Sequence, residues 1–161
     1  MSLYRKEEGN RDMIVVFVLN VLSTGYMTGL IWFVQLVHYP LHGQVGEPEF
    51  QEYQAMHMKR TSWVVIPPML TELLTAILMW YNPPLGISQS VSLGLLICLA
   101  LIWLSTALIQ APTHGLLLDR FSAKKHRQLV VTNWIRTVLW TVRAVILMAL
   151  LIEMLSKILV K

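Results

Sequence analysis

The chain has 161 residues, 55% of them hydrophobic and only 14% charged, and its mean hydropathy of +0.57 excludes a fold with water on every side. A membrane protein is expected. The formal charge of +4 comes from basic residues dispersed along the edges of apolar runs, so membrane lipids are the expected partner, and with no continuous basic stripe or groove-entering motif no nucleic-acid partner is expected.

The polar opening SLYRKEEGNRD leads into an apolar run over residues 13–38. That run is longer than a signal-peptide core and no small-residue cleavage site follows it, so it is expected to persist in the mature protein. Further apolar runs cover 62–82, 88–111 and 129–155. A bilayer core of about 30 Å takes about 20 apolar residues per helix, and strand-like alternation is absent. The expectation is one integral, multi-pass membrane domain over residues 1–161, an all-α bundle of four transmembrane helices. Both termini and the 83–87 turn then share one face, and the 39–61 and 112–128 loops share the other. The first face carries Arg5, Lys6, Arg11, Lys157 and Lys161, the second Lys59, Arg60, Arg120, Lys124, Lys125 and Arg127. The compact KKHR beside a helix start tips the loop face toward the cytoplasm.

Along the first run, Trp32, Gln35, His38 and His42 fall near one face if helicity persists past Pro40. Segment 47–59 reads as a short interfacial helix with Phe50, Tyr53 and His57 on one side, suited to capping a site between helix ends. Pro67 and Pro68 should kink the second span. Glu72 lies eleven residues beyond Thr61, roughly 16 Å along the helix and near mid-membrane. Asn82, Pro83, Pro84 and Gly86 form a turn, with Trp80 and Tyr81 in an aromatic belt. Cys98, the single cysteine, is read as a packing thiol, and the nine methionines as packing side chains. In the fourth span Asn133, Arg136, Trp140 and Arg143 recur at spacings of three, four and three. Ionisable residues inside a membrane normally face the bundle interior, so this stripe points inward.

Two P-x-H-G segments, Pro40 to Gly43 and Pro112 to Gly115, lie 72 residues apart, while Phe50/Phe121, Thr61/Thr132, Trp63/Trp134 and Trp32/Trp103 lie 71 apart. The pattern reads as two tandem parallel helix-loop-helix repeats, about 13–82 and 88–155. Under the same offset Glu72 corresponds to Arg143. The two form either a buried ion pair joining the halves or a proton-handling or ligand-binding carboxylate tuned by the arginine. His38, His42, His57, His114 and His126 all belong to the loop-side end. Imidazole binds metals and titrates near neutral pH, which makes His38, His42 and His114 candidate cofactor ligands, for a metal ion or haem. The alternative is a set of interface residues bonding phosphate and loop backbone. No metal motif accompanies the cluster, so its spacing specifies no metal.

With HYPLHG ending the first run, F-x-x-Y-x-x-x-H at Phe50, Tyr53 and His57, and N-W-x-R at Asn133 to Arg136, the chain resembles the small four-helix membrane proteins grouped with anthrone oxygenases. The resemblance covers about residues 20–150. It implies an oxygenase or redox protein acting on a lipophilic phenolic or quinone-like substrate, with His57, Asn133 and Arg136 as catalytic candidates. Histidine would act as ligand or base while arginine stabilises an enolate or phenolate. The competing expectation is a non-catalytic subunit or scaffold of a larger membrane complex or homo-oligomer, locked by Glu72 and Arg143. Transport is a weaker third reading, because each half has two helices.

Overall fold

A computed structural model of the protein describes residues 2–84 and 86–159. Lys161 and the side chains of Arg5 and Lys6, counted above on the terminal face, lie outside the described residues. The chain is an all-α four-helix bundle, with four helices long and apolar enough to cross a membrane: Gly9–His42, Glu47–Tyr81, Gln89–Asp119 and Ala123–Lys157. In element order these are α1 (Ser2–Phe33), a π turn (Val34–His38), α2 (Tyr39–His42), α3 (Glu47–Tyr81), α4 (Gln89–Ser105), a second π turn (Thr106–Gln110), α5 (Ala111–Asp119) and α6 (Ala123–Leu159).

Local chemistry sets several boundaries. Glu47 and Glu49 stand in the first turn of α3, with Gly46 as the N-cap and Pro48 inside that turn. Acidic side chains there complement the helix dipole. At the other end Asn82 is followed by Pro83 and Pro84, which cannot continue the helix, and Gly86 takes φ +89° in the turn to α4, a conformation that favours glycine. Ser88 caps α4, its side chain accepting from the Val91 N–H.

Three expected boundaries differ. The 47–59 segment is not a separate interfacial helix but the first part of α3, which runs unbroken through Pro67 and Pro68 to Tyr81. Nothing between Lys59 and Ser62 breaks helicity, and the apolar run only marks how much of the helix lies in lipid. Much of the expected 112–128 loop is likewise helical, leaving Arg120–Ser122 between α5 and α6. Pro40 and Pro112 are not stops either. Each sits at the second position of a helix that resumes after a π turn, closed by Tyr39 N–H to Val34 C=O and by Ala111 N–H to Thr106 C=O. A proline ring clashes with the carbonyl four residues earlier, and a widened turn gives it room.

The helices form a ring in which α1 and α4 each pack against both α3 and α6. Three core layers stack along the axis. Met13, Phe17, Met79, Ile87, Leu95 and Leu147 fill the terminal end. Met27, Ile31, Met69, Ala76, Leu99, Ile102 and Trp140 fill the middle, and Tyr39, Phe50, Leu117 and Leu129 the loop end. Outward positions such as Leu22, Leu74, Leu104 and Val145 are exposed and apolar, as a lipid-facing surface requires.

Candidate functional site

The π turns decide what the loop-side end contains. Buried positions on the first membrane helix include Met27, Ile31, Gln35 and Tyr39, spaced by four. In a regular α-helix each such step drifts by about 40°. The wide turn absorbs the drift and keeps Gln35, Tyr39 and His42 inward. Trp32, expected on that face, turns outward instead, packs edge-on against Trp134 at 5.6 Å and donates to Thr141. The second π turn brings Ser105 and Gln110, five residues apart, into contact at 3.0 Å.

All five histidines converge. Ring centroids lie 4.5 Å apart for His38–His57, 5.8 Å for His38–His42, 5.5 Å for His42–His57, 5.3 Å for His57–His114 and 5.4 Å for His42–His126. His38 Nε2 meets His57 Nδ1 at 3.0 Å, and Thr61 Oγ1 meets the same His57 nitrogen at 3.1 Å. The fully buried Gln54 amide joins the two P-x-H-G histidines. Its Oε1 lies 2.8 Å from His42 Nε2, while its Nε2 lies 3.1 Å from His114 Nδ1 and 2.9 Å from the His114 carbonyl. His126 bonds the Tyr39 carbonyl at 2.9 Å. Among the described residues, no three His, Cys, Asp or Glu side chains are arranged to hold a metal ion.

Beside the cluster a cavity of about 320 Å³ runs into the bundle. Met27, Ile31, Val65, Met69 and Trp140 line its apolar depth, and Tyr39, His57, His114 and Arg136 its polar end. Two of the three catalytic candidates, His57 and Arg136, therefore reach the cavity wall. Asn133 stands behind Arg136: its Oδ1 accepts from both Nε and Nη2 of the guanidinium, and its Nδ2 donates to Gln35 at 2.8 Å. Of the cofactor candidates, His114 lines the cavity, whereas His38 and His42 back it through His57 and Gln54.

The guanidinium of Arg136 is buried, and its partners are neutral. Besides Asn133 it donates to Tyr39 Oη at 3.4 Å and to Thr106 Oγ1 at 3.5 Å. No described carboxylate lies within ion-pair distance of it. Arg143 contrasts with this. Its Nε lies 3.4 Å from Glu72 Oε1 with both side chains fully buried, and it also donates to the Leu95 carbonyl and Asn20 Oδ1. Glu72 accepts further from Thr24 at 2.6 Å and Trp140 Nε1 at 3.1 Å. Every polar atom of that pair is used within the protein, which makes it a structural lock between α3 and α6.

Sequence reasoning missed Tyr39, Gln54, Asn20 and Thr24. The last two fall at i and i+4 on the inward face of α1 and were legible as a polar stripe. Tyr39, between a histidine and a proline, carried no such signal. Compared with family models, curated proteins and solved structures, the chain matches none.

Proposed function

We propose that the chain binds a lipophilic small molecule with a polar oxygen head, phenolic or quinone-like, and acts on it as a membrane-embedded oxygenase or redox protein. The buried Arg136 guanidinium without a carboxylate, at the polar end of an apolar cavity, carries this reading. A buried charge is expensive unless paired, and a phenolate or enolate oxygen in the cavity completes the pair. Asn133 holds the guanidinium in place, His57 stands at the same wall as a base, and His114 there bonds the Tyr39 hydroxyl. The imidazoles around His57 are tied to one another, to Gln54 and to Tyr39 by hydrogen bonds, and among the described residues no three are arranged to hold a metal ion, so they are assigned no metal or haem. The placement of Gln54 between His42 and His114, and of π turns 72 positions apart, supports reading the two helix pairs as tandem repeats.

The test is equilibrium binding of 1-naphthol and menadione to the purified protein in lipid nanodiscs, with dioxygen uptake, an absorption spectrum and elemental analysis on the same sample. Arg136→Met should weaken binding by about 10- to 100-fold, the worth of a hydrogen bond to a charged group. Absence of saturable binding of either compound to the native protein would remove this reading.

A further inference from the structure

The hydrogen-bond chain through Gln54 has a fixed direction. A carbonyl oxygen only accepts, so the Gln54 atom 2.9 Å from the His114 carbonyl is the amide nitrogen, and its Oε1 faces His42 Nε2. His42 therefore carries its proton on Nε2, in agreement with a His42 Nδ1 that is buried without any partner. The second Gln54 N–H points at His114 Nδ1, making that nitrogen an acceptor and leaving the proton of neutral His114 on Nε2. From there it is donated to Tyr39 Oη at 3.1 Å. Arg136 Nη2 donates to the same oxygen. Tyr39 Oη thus receives two hydrogen bonds, and no described group accepts its own proton.

Tyr39 lines the cavity. So does Trp103, whose Nε1–H is buried without a partner, and four bonds to protein use four of the five N–H groups of Arg136. The Tyr39 O–H, the Trp103 Nε1–H and the last Arg136 N–H are thus three donors without an acceptor among the described residues. Resting on the ligand reading given above, we infer that the site selects an acceptor oxygen, a quinone-type carbonyl or a deprotonated phenolate, and that Tyr39 donates the hydrogen bond that recognises it. A ligand without such an oxygen leaves these donors unsatisfied in a mostly apolar cavity, which is how a polar site rejects an apolar analogue.

The test reads the carbonyl stretching frequency of carbonyl-labelled menadione bound to the protein in nanodiscs. In the native protein it should fall below its value in lipid alone, and Tyr39→Phe, which keeps the ring, should raise it again. Gln54→Leu supplies the second variant. It removes the N–H that holds His114 Nδ1 as an acceptor, so the His114 proton can move to Nδ1 and Nε2 can accept the Tyr39 proton. The downshift should then shrink although the tyrosine remains. Methylnaphthalene, of the same shape without oxygens, should bind at least about tenfold more weakly than menadione, or about 1.4 kcal/mol. A downshift unchanged in Tyr39→Phe overturns the role of Tyr39, and one unchanged in Gln54→Leu overturns the relay. Equal binding of methylnaphthalene and menadione overturns the selectivity alone and leaves a lipophile site standing. Failure of menadione and 1-naphthol alike to bind the native protein removes the ligand reading itself, and this inference with it.

Discussion

At the scale of single residues, the two P-x-H-G segments look equivalent in sequence and are not so in space. A Cβ built on Gly43 would stand 2.6 Å from His126 Cε1, whereas one on Gly115 meets nothing within 4 Å. Gly43 is thus required by close approach, since its φ of −72° is open to any residue. Gly43→Ala should push the His126 ring off the Tyr39 carbonyl and cost about 1–3 kcal/mol by overpacking, while Gly115→Ala should be neutral or slightly stabilising within a helix. Thermal denaturation in detergent compares them, and equal losses would show that the His126 contact is unimportant. The same spatial asymmetry separates the histidines. His42 is fully buried against Phe50 and Gln54, and His114 faces the cavity.

Among the elements, the spans and the inward stripe of α6 were legible because regular helices preserve the 3.6-residue period. Asn133, Arg136, Trp140 and Arg143 are all buried as their spacing required. The π turns were not legible, since a single inserted residue breaks the period locally, and the proline beside it imitates a stop. Without the turns, Tyr39 and Gln110 could not be placed on the inward face, and without Tyr39 the cavity lacked its central hydroxyl. A π turn is one residue inserted into an α-helix, so removing that residue keeps the faces on either side in phase. Deleting the exposed Leu108, combined with Pro112→Ala to remove the ring clash, should leave menadione binding intact. Deleting the exposed Leu101 from regular α4 rotates everything beyond it by about 100° and should abolish binding. Equal damage from both deletions would contradict the insertion argument.

For the whole molecule, Glu72 and Arg143 join helices that face each other across the ring, and around them Asn20, Thr24 and Trp140 complete a closed network. Breaking a buried pair by removing one partner costs about 3–5 kcal/mol, while replacing both by apolar residues is often close to neutral. Glu72→Gln should therefore destabilise the bundle more than Glu72→Leu with Arg143→Met, as measured by unfolding in mixed detergent. A double variant less stable than the single one would assign the stability to Asn20 and Thr24 instead.

That network also has an order in time. Asn20, Thr24, Glu72 and Leu95 all precede Arg143 along the chain, so three spans are synthesised before the guanidinium exists. Until then Glu72 is an acid within lipid with no basic partner, at a cost of at least about 2.5 kcal/mol if ionised. The ion pair closes only when the last helix has inserted. A ribosome that stalls before the fourth span releases a product marked by an exposed intramembrane acid, and the finished protein differs from it by having none.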